Sequence, residues 1–194
     1  VDLLWTDIET SGLDERGGLL LELGLIVTGP GPRFEERAAW SAVVGYPDIR
    51  SRIRSAFVRQ MHEANGLLVE VERSTLTLAE LEARACEWVR DRQATDLPMG
   101  GSSPHFDRRW LKEHTPDLAG LYHHRMIDAT TLRILFGFDK PASSHRALDD
   151  LRVSLSFVRE LGPFLEPEAR ARFLEWEDSA TDLGKLGRLA RATG

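Results

Sequence analysis

Residues 3–13, LLWTDIETSGL, carry two carboxylates, Asp7 and Glu9, two positions apart inside an apolar run. In a strand, residues i and i+2 face the same way, so both acids project together, with backbones about 7 Å apart. Taken alone, such a pair fits a half-exposed edge strand with its polar face in water. The alternative is a buried strand whose acids hold something. Which of the two applies depends on where the other acids of the chain lie.

The surrounding pattern predicts strands over 3–10, 19–28 and 38–46, by apolar density and β-branched content. Gly12, Gly17 and Gly18 mark the first turn and GPGP at 29–32 the second, so the three strands form an antiparallel meander. Helical spacing follows over 51–61, with apolar residues at 53, 57, 58 and 61. It returns over 78–92, where Leu78, Leu81, Ala85, Trp88 and Val89 share a face. Thr75 or Thr77 is the expected cap of that helix, with Glu80 or Glu82 in its first turn. A strand over 96–101, a helix over 106–114, a strand over 125–129, a short helix over 130–138 and a stronger helix over 146–161 complete the series. Strands first and alternating helices afterwards indicate an α/β layered fold with helices flanking a mixed central β-sheet. One domain is expected over 1–162, and a charged helical extension over 163–194.

The net charge of −6, from 31 acids against 25 bases, excludes a long basic groove that tracks nucleic acid by phosphate neutralisation. A nucleic-acid role must then rest on a small local site, and long duplexes are not expected partners. Cys86 is the only cysteine, which excludes a disulfide framework and a thiolate zinc site and favours a reducing, cytoplasmic setting. No apolar run approaches the ~20 residues of a membrane span, and no signal-peptide pattern precedes the first strand.

Two further acids change the reading of Asp7 and Glu9. Asp107 follows the turn GGSSPHF and stands at a helix start, where an acid also serves as an ordinary cap. Asp150 lies in SHRALDDLRVSLSFV, whose apolar stripe is Leu148, Leu151, Leu155 and Val158. At 100° per residue, Asp149 points nearly opposite that stripe. Asp150 falls on the flank shared with the small residues Ala147 and Ser154, where another element can approach. Four carboxylates from three segments suit Mg²⁺ or Mn²⁺. Two such ions about 4 Å apart can activate a water and stabilise the leaving oxygen of a phosphodiester. His145, preceded by the loop-forming PASS, is placed to take the water's proton. A bland pairing of His145 with Asp149 would require His145 to be helical.

The set DIET, SSPHFDRRWL and SHRALDD resembles the three motifs of the DEDDh superfamily of 3′→5′ exonucleases, with its RNase H-like, DnaQ-like fold. That resemblance implies that Asp7, Glu9, Asp107 and Asp150 are metal ligands and His145 the general base. WTDIETSGLD, MHEANGLL and GSSPHFDRRWLKEHTPDLAGLYHHRMIDATTL are similar to the oligoribonuclease family within it, over residues 3–161. The family resemblance implies further that Leu13 and Phe57 wedge and stack two bases with His62 nearby. It also implies that Ser103, Arg125 and Thr130 cap a 5′ phosphate, and that the protein is a homodimer. Phe57 stands where the family commonly has tryptophan.

Two departures stand out. His124 replaces a tyrosine that in the family reaches the partner subunit's site. The segment between Phe138 and His145, DKPASS, is short and is not the usual lysine-containing loop that the family has before the histidine. The expected activity is metal-dependent removal of nucleoside 5′-monophosphates from very short single-stranded RNA. A DNA-directed exonuclease of the same fold and an inactive nucleotide-binding module are the rivals.

Overall fold

The computed structural model describes residues 1–139 and 141–162, so the expected extension over 163–194 lies outside the described residues. The compact unit Val1–Arg159 carries the elements discussed below.

Strands β1 (Leu3–Thr10), β2 (Leu20–Thr28) and β3 (Glu36–Val43) form the antiparallel meander. On the other side of β1, β4 (Leu97–Gly101) and β5 (Tyr122–Asp128) add in parallel. The order β3-β2-β1-β4-β5 makes β1 the middle strand of a mixed sheet. Asp7 and Glu9 therefore do not sit on an edge.

Alternation along β1 divides its side chains between two cores. Leu4 and Ile8 join the larger one, with Leu81, Val89, Trp110 and Leu111. These come from α4 (Leu78–Asp91) and α5 (Pro104–His114). Leu3 and Trp5 face the other way, onto Leu151, Leu155 and Val158 of α8 (Ala147–Glu160). Asp7 and Glu9 continue this second series, so they emerge where the apolar contact with α8 gives way to polar groups. A third cluster seats α1 (Ile49–Arg52) and α3 (Leu67–Arg73) against Leu21.

Thr77 caps α4 in a reciprocal capping box with Glu80, one of the two arrangements the sequence allowed. The expected helix over 51–61 is instead two, α1 and α2 (Ala56–Ala64). Ile53 turns extended and is buried, and Ser55 accepts the Val58 amide to start α2 afresh. Gly66, with φ of 80°, makes the sharp entry to α3, which apolar spacing alone did not reveal. α5 begins at Pro104 rather than at 106, and a short α6 (Pro116–Ala119) follows it. α7 (Ala129–Leu135) ends earlier than expected because Gly137 takes φ of 71° and the Phe138 amide bonds back to the Arg133 carbonyl. Among the described residues no helix is long and apolar enough to cross a membrane.

Candidate active site

Asp7, Glu9, His145 and Asp150 line an open cavity of about 400 Å³ above the end of β1. Glu9 is buried, and Asp7, His145 and Asp150 are half-buried. Asp107 is not part of that lining and is buried in the first turn of α5. Its place follows from how the sheet ends. Pairing of β1 with β4 extends only through Leu4–Met99 and Trp5–Gly100. The chain then turns through Ser103, at φ of 62°, into α5. The Ile8 amide, beyond that pairing, donates instead to Asp107 Oδ1 at 3.2 Å. The carboxylate thus takes the position of a strand partner and reaches the acids of β1.

Asp150 arrives from the opposite side on α8. Its oxygens accept from the Ser143 hydroxyl, from the Ser144 amide at 2.9 Å and from the Ser144 hydroxyl at 3.2 Å. Asp149 is exposed. His145 is outside the helix, with φ of 53°, which removes the helical pairing with Asp149. Ligand atoms of Glu9, His145 and Asp150 all lie within 4.8 Å of one another.

Two features that fix this loop escaped the sequence reading. Glu22, opposite Glu9 in the β1–β2 register, is a buried acid. Arg146 donates to its two oxygens at 3.1 and 3.2 Å and to both oxygens of Glu70 at 2.7 and 2.8 Å. Asn65, at the end of α2, donates to the His145 carbonyl at 2.6 Å. An acid inside the apolar run LLLELGLIVT was the available signal, the same signal that singled out Asp7 and Glu9. The second feature is Gly24, paired with Asp7 across the ladder. A Cβ there would lie 2.8 Å from the Ala147 Cβ and 3.1 Å from its carbonyl carbon. Gly24 and Ala147 together let the start of α8 settle beside Asp7. Gly24→Ala is expected to displace α8, lowering kcat/KM by about tenfold or more and stability by ~1–3 kcal/mol. Initial rates and thermal unfolding of that variant check it.

The other residues singled out from the sequence fall into three groups. Leu13 and Phe57 line the cavity and are 81% and 72% exposed, so they present apolar surface at its rim. His62 is fully buried behind it, with Nε2 3.0 Å from the Thr10 carbonyl and 3.9 Å from Glu9. Burial lowers its pKa, so the neutral ring donates to Thr10 and supports the end of β1. Ser103 and Thr130 are joined at 3.2 Å, and Ser102, which lines the cavity, is 2.8 Å from Thr130. Arg125 is exposed on β5 and does not line the cavity.

The electrostatics of the acids show what the site lacks. Burial pushes Glu9 from an ordinary 4.5 up to about 8, with Asp150, Glu22 and Asp107 adding repulsion that Arg146 only partly offsets. Burial, then the charges of Asp107, Glu9, Asp150 and Glu22, raises Asp7 well above the carboxylate range. Asp107 is pushed up to about 7 by burial, against the stabilising amide of Ile8. Carboxylates gathered this closely without matching cations are an oxygen-rich donor set for a hard divalent ion. The residues present fit such a group.

No protein-family model matches the chain. Among solved structures, it resembles S. pombe Pop2p in its Mg²⁺- and Mn²⁺-bound form (TM-score 0.59, 10% identity, 86% of this chain and 84% of that one). It also resembles the metal-free E. coli ExoI–ssDNA complex (TM-score 0.56, 12% identity, 90% of this chain and 42% of that one). The fold is the DnaQ-like, RNase H-like one expected from the motifs. Closer in sequence are curated proteins named oligoribonuclease. That of Rhodococcus jostii is 33% identical over 83% of this chain and 90% of its own length. That of Pseudomonas savastanoi is 32% identical over 81% and 92%. Likeness at that level, nearly end to end in those relatives and on a matching fold, means that the chain belongs to the oligoribonuclease family.

Proposed function

We propose that this protein is a 3′→5′ exoribonuclease that removes nucleoside 5′-monophosphates from RNA of two to a few nucleotides, using two Mg²⁺ or Mn²⁺ ions. The observation that carries the reading is the meeting of Asp7, Glu9 and Asp150, from β1 and α8, at one cavity bordered by exposed apolar groups, with Asp107 of α5 buried against the Ile8 amide of the same strand. The names of the relatives support the substrate, and the raised carboxylate pKa values support the ions.

In this reading the four acids hold the ions, which when bound supply charge neutralisation at the phosphate and ease deprotonation of the attacking water. His145 takes the water's proton. Its backbone is fixed by Asn65, and the Arg146 clamp on Glu22 and Glu70 holds the loop on its other side. Leu13 and Phe57 receive the bases, so the acidic surface need bind only one or two phosphates. His62 acts through the end of β1 rather than on the bases. A homodimer fits the exposed apolar side chains of Met126 on β5 and of Ile134 and Leu135 on α7. The lone cysteine, Cys86, is a buried thiol in keeping with a reducing, cytoplasmic setting.

Phe57→Ala should leave stability within ~0.5 kcal/mol, because the ring is exposed. It should raise KM for a dinucleotide, since base–aromatic stacking is worth about 1–3 kcal/mol, or roughly 5- to 150-fold. Steady-state kinetics beside a melting curve test both halves. The substrate class is tested by comparing RNA of increasing length, from the dinucleotide upward, with DNA of equal lengths. Fastest loss of the RNA dinucleotide supports the proposal. Better cutting of longer DNA would move the assignment to a DNA exonuclease, and binding without cutting would leave a nucleotide-binding module.

A further inference from the structure

Helix α2 meets the cavity along one face and the loop of His145 at its end. Phe57, Val58 and Met61 form part of the cavity wall. At the C-terminal end of the helix, the Asn65 side-chain nitrogen donates to the Ser144 carbonyl at 3.2 Å and to the His145 carbonyl at 2.6 Å. The Asn65 side-chain oxygen accepts the Leu67 amide at 3.0 Å. That oxygen can only accept and the nitrogen only donate, so these three bonds fix which way the group points. Its base is held as well. The Asn65 backbone amide donates to the Met61 carbonyl at 3.2 Å, and His62 ties the same helix to the Thr10 carbonyl.

His145 needs such a hold. Its φ of 53° is a left-handed conformation, which a residue with a Cβ keeps only where its surroundings enforce it. Inside the loop, the His145 amide donates to the Ser143 hydroxyl at 3.2 Å, and the Ser144 amide donates to Asp150 at 2.9 Å. Those bonds tie the loop to α8 and not to the wall formed by α2. The Arg146 side chain secures the next residue to Glu22 and Glu70. Among the described residues, Asn65 is the one side chain from outside 143–150 that bonds to the backbone of Ser144 or His145. Releasing those two carbonyls would let the backbone of His145 turn, and with it the Cα–Cβ bond that aims the ring.

We propose that Asn65 is a positioning residue that sets His145 in register with the bases received on α2. One helix then determines both where the substrate lies and where the proton of the attacking water goes. The assignment rests on the exoribonuclease reading above, in which His145 takes that proton. Asn65 touches no reacting atom and acts through His145 alone. Its loss therefore slows the chemical step and leaves substrate binding in place, whereas loss of Phe57, on the same helix, weakens binding.

The experiment measures kcat and KM for an RNA dinucleotide with Mn²⁺ in the wild type, Asn65→Asp, Asn65→Ala, His145→Ala and the double variant Asn65→Asp/His145→Ala, beside their melting curves. Asp keeps the acceptor for the Leu67 amide and removes only the donors to the loop. Asn65→Asp should lower kcat by about 10- to 100-fold, the cost of a misplaced catalytic group, with KM within about threefold and Tm within a few degrees. Asn65→Ala should lose a similar factor in kcat, which separates the missing donor from the added charge. In the His145→Ala background, Asn65→Asp should cost less than about twofold, because the group through which it acts is gone. An Asn65→Asp kcat within about threefold of wild type, or an equal loss with and without His145, overturns the assignment alone. A wild type that does not cut, or a His145→Ala variant that cuts as fast as wild type, overturns the reading beneath it and the assignment with it.

Discussion

Asp107→Asn should lose at least about a thousandfold in kcat, ~4 kcal/mol of transition-state stabilisation, while making the metal-free protein more stable. Both effects come from one side chain. Asn can keep the acceptor that the Ile8 amide uses at 3.2 Å, so the end of the β1–β4 edge is preserved. What disappears is a buried charge that stands against Asp7 and Glu9. Removing that repulsion should raise Tm in EDTA by a few degrees, at about 2–4 °C per kcal/mol for a chain of this size. Melting curves in EDTA and single-turnover cleavage with Mn²⁺ read the two halves. A variant that lost both activity and metal-free stability would show that Asp107 serves mainly as a structural cap.

The metal-free wild type should lose stability as pH rises from about 5 to 8. The sign follows from proton binding. Glu9 is pushed up to about 8 and Asp107 to about 7 in the folded chain, and Asp7 is raised as well, whereas the unfolded chain releases those protons near pH ~4. Between those limits the folded state holds more protons than the unfolded one, so each step up in pH favours unfolding. Below about pH 4 both states are protonated and the penalty vanishes. Across the window the loss should reach several kcal/mol, on the order of 10 °C in Tm. A divalent ion such as Mg²⁺ or Mn²⁺, if held by the ionised carboxylates as proposed, should offset the fall, with a stabilisation that grows with pH. Thermal unfolding at stepped pH, with EDTA and with each ion, checks it. A metal-free Tm that is flat or rising over this range would contradict the account of the acids.

What the sequence revealed of this site was whatever local periodicity encodes. The i, i+2 spacing of Asp7 and Glu9 placed them on one strand face, and helical geometry separated the exposed Asp149 from the half-buried Asp150. The PASS segment kept His145 out of the helix. The rest depends on contacts between segments distant along the chain. Nothing near Gly24 announces that Ala147 will lie against it, because that contact joins residues from opposite ends of the domain. The tie of Arg146 to Glu22 spans a similar distance, although the acid itself was visible in an apolar run. Arg125, which the resemblance assigned to a phosphate, is exposed on β5 outside the cavity lining, and its place there depends on how β5 ends and α7 begins. The break between α1 and α2 was hidden for another reason. Ile53, Phe57 and Val58 keep helical spacing across it, while the capping by Ser55 interrupts the backbone.

The central claim is that these acids drive metal-dependent removal of nucleotides from the 3′ end of short RNA. It is tested most directly by following a 5′-labelled RNA pentanucleotide over time, with Mn²⁺ and with EDTA. The account predicts labelled products that shorten one nucleotide at a time down to the mononucleotide, and no change in EDTA. Release of the labelled mononucleotide at the outset, or shortening that persists in EDTA, would contradict it.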